Sequence, residues 1–306
     1  MRHFSRMGLV LTAALLAGLV QSAAAHETKN KPPLPELKIG LIKSLLTASN
    51  SSIAMAAPLG ATLGAQMGCR LEFVQCEDQQ DMARKLQKGD IQLGVIHGLE
   101  YCWLKKDAPD IEPLALALGH DIKLKAKLLV RADDKCTSIR DLKDKTLLRP
   151  TKSLNHNSLY LTKVVSEVCP ECDKFFGSVK VVGSVDATAD ALIDGQGQVM
   201  VIDAASWVTY EQQKPGRAKK LRVLDESGYF PTAAVLHKPG SLTPDVLNQI
   251  KTGFLTIHQK PLGQQMLVFW RLTRFVPVNE EYQEVCKQAL KDYPFPVIPH
   301  TFQAKK

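Results

Sequence analysis

The usual signatures of catalysis are missing from this chain. It has no P-loop, no G-x-S-x-G elbow, no H-E-x-x-H helix and no G-x-G-x-x-G turn, so no assembled nucleophile, zinc pair or dinucleotide cradle is expected. Aromatic residues make up only 6%, and no basic stripe carries interleaved aromatics, which argues against a nucleic-acid partner. Beyond the N-terminus no apolar run is long enough to cross a bilayer. No second close Cys or His pair accompanies Cys169 and Cys172 to complete a zinc site. Asp173 follows that pair, where haem attachment requires His. No cofactor, no metal and no enzymatic activity are therefore expected.

What is present begins with an address. Arg2, His3 and Arg6 precede an apolar run over 8–20, and Ser22-Ala23-Ala24-Ala25 follows as a small-residue cleavage site. This pattern is a secretory signal peptide cleaved after Ala25, and without a cysteine at the cleavage point no lipid anchor is expected. The formal charge of +8 falls to +6 once Arg2 and Arg6 are removed, a modest excess that favours anions in general. Seven cysteines remain in an exported chain, where disulfides are permitted; an odd number leaves at least one unpaired.

The stretch VKVVGSVDATADALIDGQGQVMVIDAASW, residues 179–207, organises the rest. Val179, Val181 and Val182 are strand formers, Ser184 or Asp186 can cap a helix, and Gly195 and Gly197 stop it. Residues 199–202 form an apolar run of the kind buried on both faces of a parallel sheet, and Asp203 stands at its end. The same grammar occurs earlier: strand 71–74, helix 78–88, stop at Gly89-Asp90, buried strand 91–96, then His97. Two copies that each end on a polar residue point to two similar α/β lobes facing one cleft, because open α/β sheets bind ligands beyond the carboxyl ends of their strands.

Read in order, residues 26–36 are a polar, Pro-rich, flexible lead-in, and 37–42 are the first strand. A helix over 53–67 follows, and its N-terminus near Asn50-Ser51-Ser52 suits an anion. The alternating segment 123–130 is expected to close lobe one, and Arg131-Ala132-Asp133-Asp134 to cross into lobe two. Residues 149–155 read as a loop, with Asn157 or Ser158 opening a helix over 159–168. Thr232 to His237 reads as the return strand, and Thr243-Pro244-Asp245 starts a helix. The expected organisation is lobe one over 37–130, lobe two over 131–231, a return to lobe one over 232–292 and an irregular tail over 293–306. Two crossings between lobes suit hinge closure over a ligand.

The candidate ligand-binding residues follow from that frame. Asn155, His156, Asn157 and Ser158 lie between a strand and a helix of lobe two, where donors and helix N–H groups can hold an oxyanion or simply cap the helix. Asp203 can accept from a ligand or cap the helix over 204–210, and Ser184 stands at the head of the helix before it. His97 and Tyr101 form the matching corner of lobe one. Cys169 and Cys172 read as a redox pair, a metal half-site or a structural disulfide; their place after a helix favours the last.

Four pieces together resemble the phosphate/phosphonate-type periplasmic binding proteins of ABC importers. They are LQKGDIQLGVIHGLEY, LLVRADDKCTSIRDLKDKTLL, FFGSVKVVGSVDATADALIDGQGQVMVIDAASW and TPDVLNQIKTGFLTI, and the resemblance covers residues 37–292. It implies an α/β, type II periplasmic-binding-protein fold with two lobes, each a mixed sheet flanked by helices, and two hinge crossings. It implies a monomeric periplasmic receptor for a small anionic or zwitterionic solute, phosphonate-like or phosphate-like, that docks on an ABC permease in the inner membrane. Asp203 and Tyr101 match the family's carboxylate and tyrosine. SLNHNS at 153–158 stands in place of its Ser/Thr-rich Gly loop, and Val185 in place of a frequent His. A ligand-presenting partner of a membrane receptor is the alternative, and a thiol–disulfide oxidoreductase using CPEC a more distant one.

Overall fold

The computed structural model describes residues 35–45, 60–61, 63–65, 67–119, 123–170, 172 and 174–295. The expected signal peptide, most of the lead-in, the anion position near Asn50, most of the expected helix over 53–67 and nearly all of the tail lie outside the described residues.

Two mixed sheets carry the chain. The first has the order β13-β4-β12-β3-β1-β2, built from β1 (Glu36–Ile42), β2 (Arg70–Cys76), β3 (Leu93–Ile96), β4 (Glu112–Leu118), β12 (Ala233–His237) and β13 (Arg274–Val276). β1 runs parallel to β2 and β3, while β12 is antiparallel to β3 and β4. The second has the order β10-β6-β9-β7-β8, from β6 (Ala126–Arg131), β7 (Thr146–Pro150), β8 (Ser178–Val182), β9 (Val199–Asp203) and β10 (Leu221–Glu226). Here β7 is parallel to β8 and β9, and β6 is antiparallel to β9 and β10. β5 (Lys123–Leu124) and β11 (Phe230–Pro231) pair antiparallel with each other, so the two crossings form one small ribbon.

The first crossing comes earlier than its sequence suggests. Residues 126–130 were expected to close lobe one, but β6 sits inside the second sheet, between β9 and the edge strand β10. Its alternation explains why. Ala126, Leu128 and Val130 join one core cluster and Leu129 another, so the strand is buried on both faces. Local sequence declares such a strand without declaring its partner.

The helices follow from caps and stops. α1 (Gln79–Lys88) begins where Asp78 accepts from Asp81 N at 2.8 Å and ends at Gly89, whose φ of 80° is the left-handed conformation that glycine adopts freely. α2 (Gly98–Asp107) starts directly after β3. Gly98 is required there by close approach: a Cβ would lie 2.2 Å from Thr232 O and 2.3 Å from Pro231 O, both carbonyls of the second crossing. α3 (Asn155–Val168), α4 (Val185–Ile193), α5 (Ala204–Gln213) and α6 (Pro215–Ala218) flank the second sheet. α7 (Pro244–Thr256), α8 (Pro261–Phe269) and α9 (Glu280–Asp292) return to the first.

One core cluster runs through both lobes, from Ile42, Leu116 and Leu236 across Phe230 and Tyr293 to Leu128, Leu147 and Tyr160. A separate cluster backs each sheet. Tyr293, just past α9, braces the junction: its ring centroid is 4.5 Å from that of Phe230, and its carbonyl accepts Trp103 Nε1–H at 2.8 Å.

Candidate functional site

In the second sheet, β7 and β9 are parallel neighbours with Leu147 beside Val199. Leu147, Val199 and Val201 pack towards α3, whereas Leu148, Met200 and Ile202 pack on the opposite face. Strand alternation therefore brings Arg149 and Asp203 out on the α3 side, at the carboxyl ends of both strands. There Arg149 Nη2 donates to Ser158 Oγ at 3.3 Å, and His156 Nε2 lies 3.1 Å from Asp203 Oδ1. Burial lowers the Arg149 guanidinium from its ordinary value, but an arginine stays cationic in a protein.

Asp203 is both a cap and a site residue. Its Oδ2 accepts Ser206 N at 3.1 Å as N-cap of α5, while Oδ1 is turned to His156. Burial pushes the carboxyl up. The His156 hydrogen bond and electrostatic pull, with the Ser206 and Ala205 N–H groups, outweigh that and hold it below its ordinary value.

α3 begins at Asn155, so Asn155, His156, Asn157 and Ser158 form its first turn; this corrects the expected loop and the expected start near 157–159. Asn and His are weak helix formers, but His156 and Asn157 are buried against the sheet and held helical by packing. Leu154 is the N-cap and provides no side-chain oxygen. Asn155 is half-buried, and Asn157 Oδ1 is buried without a hydrogen-bond partner.

The first sheet offers the matching edge. β1 and β3 are parallel neighbours, with Leu41 beside Val95. Just beyond their carboxyl ends lie Ser44, His97 and Glu100. Ser44 Oγ lies 3.0 and 3.2 Å from the two Glu100 oxygens. The Glu100 carboxylate also accepts the His97 backbone N–H, the reach-back of a Glu in the third helical position. Burial pushes Glu100 up to about 7, against the Ser44 and His97 hydrogen bonds. His97 Nε2 is buried without a partner, and burial, with repulsion from His156, lowers that ring to about 4. His97 of lobe one thus lies within electrostatic reach of His156 of lobe two. The Phe230 ring, 5.6 Å from that of His156, places the second crossing beside them.

Of the eight sequence candidates, His97, His156, Asn157 and Asp203 converge here, with Ser158 beside Arg149 and Asn155 at the head of α3. Two stand apart. Tyr101 is 2% exposed and stacks on Tyr282 of α9 at 6.2 Å, in the core behind α2. Ser184 is exposed and accepts Ala187 N at 3.1 Å as the cap of α4, which packs on the other face of the sheet. Glu100, Arg149 and Ser44 escaped the sequence reading. Arg149 was legible as the polar end of a strand whose neighbour ends on Asp203. Glu100 was legible as an acid four residues past a strand end.

The CPEC pair is a disulfide at the other end of α3, where Cys169 is the C-cap, roughly 20 Å along the helix from its first turn. Among the described residues no three His, Cys, Asp or Glu side chains cluster to hold a metal, and no helix is long and apolar enough to cross a membrane.

The fold recurs in solved proteins. XAC2383 from Xanthomonas citri, bound to chloride, is 17% identical with a TM-score of 0.57, over 84% of this chain and 97% of that one. PhnD1 from Prochlorococcus marinus, in complex with methylphosphonate, is 15% identical with a TM-score of 0.52, over 84% and 97%. A binding protein component of an ABC phosphonate transporter from Pseudomonas aeruginosa is 15% identical with a TM-score of 0.51, over 85% and 87%. At such identity these similarities establish the two-lobed type II architecture. No curated relative matches at a significant level. The family model described as ABC transporter, phosphonate, periplasmic substrate-binding protein matches residues 46–282. With that match over most of its length, the chain belongs to the family of phosphonate-type periplasmic substrate-binding proteins of ABC transporters.

Proposed function

We propose that this chain is exported through a cleaved N-terminal signal and, as a periplasmic monomer, captures a small oxyanion between its lobes for an ABC permease in the inner membrane. Its family is one of substrate-binding transport proteins. The observation that carries the reading is the first turn of α3: Leu154 leaves its N–H groups without a side-chain cap, and Arg149 and Ser158 stand beside them. The Asn157 N–H is turned onto Leu154 O at 3.1 Å, so the Asn155 and His156 N–H groups, the helix dipole and the guanidinium make one anion subsite. A phosphonate or phosphate oxygen set would bind there.

The rest of the cleft is rich in acceptors. Asp203, Glu100 and Asn157 Oδ1 are poor company for a fully ionised ligand. They suit one that also carries a donor, such as a singly protonated oxyanion or the amine of a zwitterion. Closure of the lobes about the β5–β11 ribbon brings His97 and Glu100 over what α3 holds and removes both faces from water.

The test is a thermal-shift and calorimetric panel on the mature protein with phosphate, phosphite, alkyl- and aminoalkylphosphonates, sulfate, sulfonates and amino acids. A ligand at about 100 times its Kd adds ~2.7 kcal/mol, enough to raise the midpoint by several degrees. Shifts with phosphonates or phosphate support the reading. Shifts confined to sulfonates or amino acids overturn the ligand class while leaving the receptor. N-terminal sequencing of periplasmic protein tests cleavage after Ala25, and light scattering tests the monomer.

A further inference from the structure

α9 touches both crossings of the hinge. Near its start, Glu281 Oε1 lies 2.6 Å from Lys123 Nζ of the first crossing, and the Tyr282 hydroxyl donates to Thr232 O of the second at 3.2 Å. Near its end, Asp292 abuts Gly228, where a Cβ would stand 3.1 Å from Asp292 Oδ2, and the Tyr293 ring packs on Phe230. The helix is tied to lobe one at both ends, by Tyr282 stacked on Tyr101 and by the Tyr293 carbonyl accepting Trp103 Nε1–H. From this splint a contact reaches lobe two. Lys163 Nζ of α3 stands 5.3 Å from the centroid of the Tyr293 ring and 3.9 Å from Asp292 Oδ1. It lies at the C-terminal end of α9, where unpaired helix carbonyls favour a cation.

We propose that Asp292 and Tyr293 form a latch that grips Lys163 and holds the two lobes together, so that the affinity of the cleft is set in part from outside it. The proposal rests on the reading of lobe closure as the capture step. The lobes are together in this structure: one core cluster spans both, and Glu100 of lobe one and His156, Asn157 and Asp203 of lobe two are all 8% exposed or less. A contact between lobes in that state stabilises it against any state in which they part. Lys163 is eight residues past Asn155, roughly 12 Å along α3 from the proposed anion subsite. It therefore acts on the lobe angle and touches no ligand.

The contact is built to be released. The Lys163 and Asp292 side chains are 32% and 26% exposed, so water reaches both when they separate. Each also keeps a partner on its own helix. Lys163 Nζ lies 3.6 Å from Glu167 Oε1, and Asp292 Oδ2 accepts from Gln288 Nε2 at 3.2 Å. Opening therefore strands neither charge. A cation over a ring and a partly exposed ion pair are individually weak, and a weak interaction shifts a two-state balance without locking it.

The experiment measures lobe separation in the ligand-free mature protein, by double electron–electron resonance between spin labels attached at Arg84→Cys in α1 and Val208→Cys in α5. Both positions are exposed, each on a helix that follows the carboxyl end of a strand, and the five free cysteines are buried. Lys163→Met, which keeps the stem and drops the charge, should raise the ratio of open to closed molecules roughly 3- to 10-fold. Asp292→Asn should raise it less. The double variant should match Lys163→Met, because the lysine is common to both contacts. Glu167→Gln, which removes only the partner on α3 itself, should not open the lobes. An unchanged or shortened distance in Lys163→Met, or equal opening in Glu167→Gln, overturns the latch. With methylphosphonate and inorganic phosphate as probes, Lys163→Met should speed dissociation by a similar factor, since a ligand leaves from the open form. If neither probe binds while the ligand-free shift is present, the latch stands and the oxyanion reading fails.

Discussion

His156 Nε2 stands 3.1 Å from Asp203 Oδ1, and both side chains are buried. A carboxylate held below its ordinary value only accepts, so the proton of this hydrogen bond lies on Nε2. The pair ties the first turn of α3 to the end of β9, joining the two elements that form the lobe-two edge of the cleft.

Asp203→Ala removes two things at once. α5 loses its cap at Ser206 N, and His156 loses the partner of a buried N–H. A lost cap costs about 1 kcal/mol, and a stranded buried donor about 1–3 kcal/mol more. Urea unfolding of Asp203→Ala should therefore show a loss of roughly 2–4 kcal/mol. Asp203→Asn should recover about half, since its oxygen still caps α5 while its amide can face a re-tautomerised His156. Equal midpoints for wild type and Asp203→Ala would remove the pair from the structural account.

His97 and Glu100 should bend the stability–pH curve in opposite directions. Glu100 is raised from 4.5 to about 7, so the folded state holds its proton longer; this stabilisation is full below about pH 4.5 and lost as pH rises through 7. His97 is lowered from 6.5 to about 4, so its stabilisation is full above about pH 6.5 and lost as pH falls through 4. Each shift corresponds to roughly 3 kcal/mol, and the two nearly cancel between pH 4.5 and 6.5. Their joint contribution to the wild-type curve should be flat there, leaving the rise that His237, also lowered by burial, adds. Glu100→Gln should unmask a rise in stability with pH, and His97→Gln a fall. Parallel curves for the two variants would show that neither ring nor carboxyl is buried as described.

The parts of this site that were legible are those fixed by short-range rules. Asp203 and His97 each end an apolar run, and a strand end in an α/β sheet is a ligand position whatever the partner strand. Tyr101 shows where spacing fails. Successive helical residues point about 100° apart, so Glu100 turns towards Ser44 while Tyr101 turns towards Tyr282. Which of the two faces the cleft depends on where α2 starts, and Gly98 sets that through its contact with carbonyls more than a hundred residues away. β6 failed for the same reason: its alternation declares a strand, but membership of a sheet is a long-range fact. α3 failed locally, because Asn155 and His156 have loop propensities that packing overrides.

Ser184 separates capping from binding. Its oxygen is engaged with Ala187 N at an exposed helix start on the far face of the sheet. Ser184→Ala should cost about 1 kcal/mol in unfolding and leave the Kd for any ligand of the cleft unchanged. Calorimetry showing weaker binding with unchanged stability would move Ser184 into the cleft and require α4 to border it.

Arg149 gives the sharpest test of where an oxyanion sits. It projects from the end of β7 to Ser158 in the first turn of α3, and burial strengthens any contact it makes with an anion. A charge-assisted hydrogen bond contributes about 1.5–3 kcal/mol, so Arg149→Met should raise the Kd for the ligand found in the panel by roughly 10- to 100-fold. Arg149→Lys keeps the charge and loses the planar fork, so its Kd should fall between the two. Because Arg149 also supports Ser158, which itself borders the proposed subsite, the thermal midpoint of each ligand-free variant must be measured in parallel, and Ser158→Ala reports the share of binding carried by the hydroxyl. If Arg149→Met weakens binding only as far as it lowers the ligand-free midpoint and no more than Ser158→Ala does, the arginine acts by holding the first turn of α3 in place. A larger loss for Arg149→Met puts the guanidinium on the ligand itself. Unchanged binding in both would place the oxyanion away from α3, and the subsite would have to be sought on the lobe-one edge, around Ser44 and His97.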